Sequence, residues 1–224
     1  MKTVAVIPVR AGSRRLKNKN ILPFAGSNLL VHKIRQLSRV NGIDEIVVSS
    51  DSDEMLQMAE SEGASVHRRD LIYADDISLP FGEVVAHICS SIDATDVLWA
   101  PCTSPLTEAV HYEEALNLYR DNVPLNNDSL VAFEILKIFL WNDDGPLNYE
   151  LGLKHVTSQN LPNVYRPTNG IFIAPRDKMV EWKYFHGPHP YKYILDKRTS
   201  VDIDDAFDLS CAKAYYSMEA EGGK

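Results

Sequence analysis

The stretch Val4-Ala5-Val6-Ile7-Pro8-Val9-Arg10-Ala11-Gly12-Ser13-Arg14-Arg15-Leu16-Lys17-Asn18-Lys19-Asn20 decides the fold. Its first half is an apolar run of strand length with no polar alternation, the pattern of a strand buried on both faces within a parallel sheet. Its second half turns at Gly12-Ser13 and carries five cations, Arg10, Arg14, Arg15, Lys17 and Lys19. A strand that ends in such a turn leaves backbone N–H groups without sheet partners, and a concave nest of them binds anions. The spacing fits neither the GxxxxGK[ST] nor the GxGxxG phosphate motif. In an open α/β sheet ligands bind beyond the carboxyl ends of the strands, which is where this loop stands if its strand is central.

Working outward, apolar residues recur at helical spacing over residues 29–40, and a buried strand follows over 46–51. The alternation continues with a helix over 52–63, a short strand over 64–67, a helix over 80–92, a strand over 96–100, a helix over 111–119 and a strand over 129–133. From 134 to 166 the pattern is irregular, with a turn signal at Trp141-Asn142-Asp143-Asp144-Gly145-Pro146. A strand over 170–174 and a helix over 206–218 close the chain. These alternating units predict one α/β domain over 1–224, a mostly parallel sheet with helices on both faces. The 134–166 stretch is too long to be filler in such a domain and reads as a functional or interface insertion.

Composition narrows the partners. The chain has 224 residues and a formal net charge of −8, which argues against a nucleic-acid or membrane-surface binder and makes the basic loop a local exception. No apolar run approaches the length of a membrane span. Cys89, Cys102 and Cys211 fit neither a disulfide framework nor a zinc site, so reduced thiols and a cytoplasmic location are expected.

A second constellation lies far from the first, in Ser200-Val201-Asp202-Ile203-Asp204-Asp205. In an extended segment residues two apart project to one side, so Asp202 and Asp204 place two carboxylates in one cleft. Such a pair suits Mg²⁺, whose other ligands are phosphate oxygens and water. Asp204 or Asp205 also suits the N-cap of the following helix, and both readings stand together. Ser49-Ser50-Asp51, Arg68 with Arg69, Asp75 and Ser78, and Thr103-Ser104 each follow a strand and bring polar groups to the same edge.

These segments, in this order, resemble the acylneuraminate cytidylyltransferase family. Residues 7–14 with Lys19-Asn20-Ile21 resemble its IPARxGSKxIPxKNI loop, and Val47-Val48-Ser49-Ser50-Asp51 its VSTD strand end. Arg68, Asp75 and Ser78 are similar to RPxxLAxDxxS, Thr103-Ser104-Pro105-Leu106 to PTSPLR, Tyr165-Arg166 with Asn169-Gly170 to YRxNG, and residues 200–204 to SIDID.

The resemblance implies a Rossmann-like nucleotidyltransferase fold that moves CMP from CTP onto an acidic sugar and releases pyrophosphate. It implies nucleotide contacts from Arg10, Ala11, Gly12, Ser13, Arg14, Lys19, Asn20, Arg68, Asp75 and Ser78, with Arg10 and Lys19 catalytic and Asp202 and Asp204 holding Mg²⁺. Acceptor contacts fall on Thr103, Ser104, Lys137, Gln159, Arg166 and Asn169. The insertion around 134–166 is implied to reach across a homodimer to the partner's acceptor site. The departures lie on the acceptor side: Pro101, Cys102 and Thr107 replace the Gln, Pro and Arg of QPTSPLR, and Thr157-Ser158-Gln159-Asn160-Leu161-Pro162 lacks the arginines of RRQDxP. Lost arginines remove bidentate carboxylate recognition. The acceptor is therefore expected to differ from an ordinary sialic acid, or its carboxylate to be held by Lys154, His155, Arg166 or Lys192. The competing readings are a nucleotidyltransferase for another keto-acid sugar or a phosphorylated or phosphonate compound, and a non-catalytic nucleotide-binding subunit.

Overall fold

A computed structural model of the chain describes residues 1–222 apart from 14 and 75–77, so the expectations for Arg14 and Asp75 lie outside the described residues. The strands are β1 (Thr3–Pro8), β2 (Pro23–Phe24), β3 (Ser27–Asn28), β4 (Glu45–Ser50), β5 (Ser65–Arg68), β6 (Asp96–Trp99), β7 (Ser129–Leu136), β8 (Trp141–Asn142), β9 (Gly145–Pro146), β10 (Val164–Pro175) and β11 (Pro190–Ile194). The helices are α1 (Leu29–Leu37), α2 (Asp53–Ser61), α3 (Phe81–Ser90), α4 (Ala109–Asn122), α5 (Arg176–Trp182) and α6 (Ala206–Gly222).

Seven strands form one sheet in the order β11-β7-β10-β6-β1-β4-β5. β1 runs parallel to both β4 and β6, while β10 is antiparallel to its neighbours β6 and β7. The apolar run of β1 is buried on both faces. Ala5 and Ile7 meet apolar residues of α1, α2 and α4, whereas Val4 and Val6 meet α3 and α5. That two-sided burial is why the strand shows no polar alternation.

Helix starts follow local chemistry. The Asn28 side chain accepts from Val31 N at 2.9 Å to cap α1, and Ser52 caps α2 in the same way. At α4, Glu108 and His111 satisfy each other's backbone N–H groups in a reciprocal capping box.

The irregular stretch is narrower than the sequence suggests. β7 continues to Leu136 and β10 begins at Val164, so Glu134 and Arg166 are paired strand residues, and the insertion proper lies between them with the β8–β9 hairpin inside it. The strand expected over 170–174 is the end of a much longer one, because its register shifts between Pro167 and Phe172. A bulge of this kind breaks the apolar pattern by which a strand is read.

The connections from β1 and β4 lead toward β5, while β6 lies on the other side of β1. Strand order thus reverses at β1, opening a crevice at the carboxyl ends of the parallel strands.

Candidate active site

The loop after β1 is braced from three directions. Val9 N donates to Ser49 O at 3.0 Å, Ala11 N donates to Asp51 Oδ1 at 3.0 Å, and Asn20 Nδ2 donates to Arg10 O at 3.1 Å. Asn20 is buried and also accepts from Cys102 Sγ at 3.4 Å. Gly12 sits at φ +73°, a left-handed turn that a side chain would strain although nothing nearby blocks one. Arg10 reaches across to donate to Ala74 O at 3.0 Å. Arg10, Ser13, Arg15, Lys19 and Asn20 all line a cavity of about 490 Å³, beside which Ala11 and Gly12 contribute only loop backbone.

The acidic segment closes on this loop. Ile203 N donates to Thr103 O at 2.8 Å, fixing residues 202–204 against the turn that follows β6. Asp204 Oδ1 accepts from Arg15 Nη2 at 2.7 Å and from Lys19 Nζ at 3.2 Å, and Lys19 Nζ also donates to Ile203 O at 2.8 Å. Capping of α6 falls to Asp205, whose Oδ1 accepts from Phe207 N at 2.8 Å and Asp208 N at 3.0 Å. Asp202 and Asp204 take no part in that cap; neither is in the cavity lining, which they adjoin through Arg15, Lys19 and Thr103.

Asp202 Oδ1 is buried without a hydrogen-bond partner. Burial raises its carboxyl above the usual range and the Asp204 charge adds to this, while the Thr103 hydroxyl, Lys19 and the Asn169 amide oppose it. An orphaned carboxylate oxygen two residues from a second carboxylate fits a hard divalent cation. Among the described residues no cluster of three or more His, Cys, Asp or Glu side chains forms a metal cage. Two carboxylates suffice for a cation that takes its remaining oxygens from phosphates and water.

Opposite the loop the cavity wall is aromatic. Trp99 and Phe185 face each other at 6.2 Å between centroids, and Phe81 stands edge-on to both at 6.5 and 5.8 Å. Phe185 lines the cavity; Trp141 is exposed on the β8–β9 hairpin and Trp182 packs against the core.

The arginine pair at the end of β5 is divided. Arg68, the residue singled out from the sequence, points outward and pairs with Asp53. Arg69 lines the cavity, 6% exposed, and donates through Nη2 to Val9 O at the root of the loop after β1. Burial lowers its guanidinium to about 10, and its Nε has no partner. Adjacent residues leaving a strand face opposite ways, so a one-position difference in reading moves the choice from cavity to surface.

The acceptor candidates divide likewise. Thr103 and Asn169 line the cavity and are joined by a 3.3 Å bond from Asn169 Nδ2 to Thr103 Oγ1. Ser104 is buried behind the turn, and Ser78 is exposed outside the lining. Lys137 Nζ donates to Leu161 O at 2.5 Å within the insertion, and Gln159 is exposed on a single turn of 3-10 helix. Arg166 donates through Nη2 to Glu134 Oε2 at 2.6 Å and to Ser200 O at 3.2 Å, so it anchors the acidic segment instead of facing the cavity. Of the other carboxylate holders considered, Lys154 pairs with Glu150, His155 stacks on Phe139, and Lys192 lies over the Tyr165 ring. Arg15, Arg69, Phe81, Trp99 and Tyr73 line the cavity without having been singled out as site residues. Trp99 and Arg69 stand at strand ends, whereas Arg15, Tyr73 and Phe81 come from a loop, a 3-10 turn and the start of α3.

A basic strand-end loop facing an acidic pair across the switch crevice of an α/β sheet defines the nucleotidyltransferase class of fold. Within it, a family model described as "Cytidylyltransferase" matches residues 4–137, and the chain belongs to that family. It is 29% identical to the N-acylneuraminate cytidylyltransferase of Escherichia coli O18:K1:H7 over 94% of its own length, spanning 51% of that protein. It is 28% identical to the pseudaminic acid cytidylyltransferase of Campylobacter jejuni strain 81-176, covering 99% of both chains. Among solved structures, a CMP:2-keto-3-deoxy-manno-octonic acid synthetase complexed with CTP superposes with a TM-score of 0.73 at 15% identity, covering 98% of this chain and 100% of that one. A 4-diphosphocytidyl-2C-methyl-D-erythritol synthase from Anaerococcus prevotii superposes at 0.68, also at 15% identity, covering 96% of each chain.

Proposed function

We propose that this protein transfers CMP from CTP to an acidic sugar of the nonulosonate or 3-deoxy keto-acid type, with release of pyrophosphate, for surface glycan synthesis. The observation that carries the reading is that Arg10, Ser13 and Lys19 line one cavity while Lys19 Nζ also meets Asp204 Oδ1 at 3.2 Å. The names of the relatives matched over 99% of their length, a pseudaminic acid cytidylyltransferase and a CMP-N,N'-diacetyllegionaminic acid synthase, support the acceptor class, as does that of the N-acylneuraminate cytidylyltransferase matched over 51% of its length.

In this reading the loop and its cations hold the triphosphate, while Arg69 backs the loop from beneath. A hydroxyl of the acceptor attacks the α-phosphorus in line and gives up its proton to solvent water. A new P–O bond forms as the bond to the bridging oxygen breaks, and pyrophosphate leaves with the electron pair. Lys19 and Arg10 stabilise the negative charge that gathers on the leaving group, which is electrostatic catalysis by preorganised cations. Asp202 and Asp204 would hold Mg²⁺, which neutralises phosphate charge when bound. Thr103 and Asn169 orient the acceptor, and the Trp99, Phe81 and Phe185 wall suits apolar substituents upon it. The Thr107 hydroxyl is engaged with Thr199 O at 3.3 Å, and Arg166 with Glu134. This favours an acceptor bound differently from an ordinary sialic acid.

We assign the active form as a homodimer, supported by Ile138, Phe139, Trp141, Leu147, Leu151 and Leu153, all exposed on the insertion. We assign the reaction to the cytoplasm, in keeping with free thiols at Cys89, Cys102 and Cys211.

The test is pyrophosphate release with Mg²⁺ and each of the four nucleoside triphosphates, against sialic, pseudaminic, legionaminic and octulosonic acids. Turnover with CTP and one acid is expected. No turnover with any of these acids, while a phosphorylated or phosphonate compound reacts, transfers the activity to the competing acceptor class. Absence of CTP binding overturns the nucleotide reading.

A further inference from the structure

α1 is an amphipathic helix whose inward face carries three polar side chains, His32, Lys33 and Gln36, each under 9% exposed. Their spacing puts them side by side on that face. All three reach one short segment, the turn that follows β6. Lys33 Nζ donates to Ser104 O at 2.8 Å and to Tyr112 Oη at 2.6 Å. Gln36 Nε2 donates to Pro105 O at 2.7 Å, and His32 Nε2 donates to the same carbonyl at 3.1 Å.

Lys33 is fully buried, and burial pushes its ammonium down to about 7. Its two partners are a carbonyl and a phenol, so no carboxylate compensates directly for the buried charge. A leucine or methionine of similar volume would serve the core without that cost. Packing alone therefore does not account for a lysine here.

The other side of the same turn faces the acidic segment. Thr103 O accepts from Ile203 N at 2.8 Å, and Thr107 Oγ1 donates to Thr199 O at 3.3 Å. The turn is thus gripped from the core by α1 and grips in turn the extended segment that bears both carboxylates.

We infer that Lys33 is a positioning residue for the cation-binding carboxylates: by fixing the Ser104 carbonyl from the core it holds Thr103, and through Thr103 the 202–204 segment, in register with the phosphate loop. The inference rests on the reading of Asp202 and Asp204 as the divalent-cation site of a CTP-binding enzyme. Ligand-orienting partners of this kind typically set about 10- to 100-fold of metal affinity.

The experiment uses the full-length chain and needs no turnover. The affinity for CTP is measured by titration calorimetry in EDTA and again with saturating Mg²⁺, for wild type and Lys33→Met. The expected result is that the metal-free CTP affinity stays within about twofold of wild type while the gain conferred by Mg²⁺ falls by about tenfold or more. An unchanged Mg²⁺ gain overturns the inference. A loss that is equal with and without Mg²⁺ also overturns it, because it marks general damage to the core. Wild-type protein that binds CTP without any Mg²⁺ gain removes the cation site and the inference with it. Wild-type protein that binds no CTP removes the functional reading itself. If Lys33→Met does not fold, Gln36→Met removes the shorter of the two bonds on the neighbouring Pro105 carbonyl, leaving His32 on it, and is read by the same split.

Discussion

Lys19 Nζ lies 3.2 Å from Asp204 Oδ1, joining positions 185 residues apart. The pair is partly exposed, so its contribution to stability is small. Its importance is chemical: it brings the cation that would meet the leaving phosphates to the carboxylates that would hold the metal. Lys19→Ala is expected to lower kcat by about 100- to 1,000-fold, the cost of removing one preorganised charge partner, with a much smaller change in CTP affinity. Steady-state kinetics beside a thermal melt separates this from unfolding.

Asp204→Ala is expected to abolish Mg²⁺-dependent turnover while leaving the far-ultraviolet circular dichroism unchanged. α6 keeps its start because Asp205, not Asp204, accepts from Phe207 N and Asp208 N. Normal turnover in this variant would remove the carboxylate pair from the mechanism.

The two adjacent arginines should separate cleanly. Arg69→Ala deletes a buried guanidinium that supports Val9 O, and is expected to lower both the melting temperature and the affinity for CTP. Arg68→Ala removes a surface ion pair with Asp53 and should change stability by no more than about 0.5 kcal/mol, with CTP binding intact. Equal effects in the two variants would contradict the assignment.

Lys33 makes stability depend on pH in a stated direction. Its amine titrates near 10.5 when unfolded and is pushed down to about 7 in the folded chain by burial, against weaker opposing effects of Cys102 and Glu108. Below that window the amine is protonated in both states and the fold carries the cost of a buried charge. Within it the unfolded chain binds one more proton, so wild-type stability should gain up to about 1.4 kcal/mol per pH unit relative to Lys33→Met. Urea unfolding of both proteins at several pH values measures the difference. Parallel curves would show that Lys33 does not titrate there.

The apolar run of β1 and the helical periodicities made the architecture legible because each reports burial directly. The loop after β1 and the 202–204 segment stood out in the sequence as candidate segments, and the structure brings Lys19 of the one against Asp204 of the other. What stayed hidden has a common physical cause. The choice of Arg69 over Arg68 depends on which way a side chain leaves the sheet, and the sequence stretch His67-Arg68-Arg69-Asp70 carries no apolar alternation to set that phase. The engagement of Arg166 with Glu134 arises from antiparallel pairing of β7 with β10, a long-range register that neither strand encodes alone. Phe185 reaches the cavity from the loop after α5, where no periodicity exists to be read.

The antiparallel strand β10 lies between β6 and β7, with Phe172 beside both Trp99 and Val131. During synthesis the chain therefore emerges with a gap in the middle of its sheet: β7 leaves the ribosome before the strand that will join it to β6 exists. The residues matched by the family model end at 137, within this interval, and so do not correspond to an autonomous folding unit. The β6-β1-β4-β5 half can pair within itself, but the joining of β7 to it waits on residues that come later, and non-local pairings of this kind slow folding and leave an apolar strand edge open to aggregation until they form.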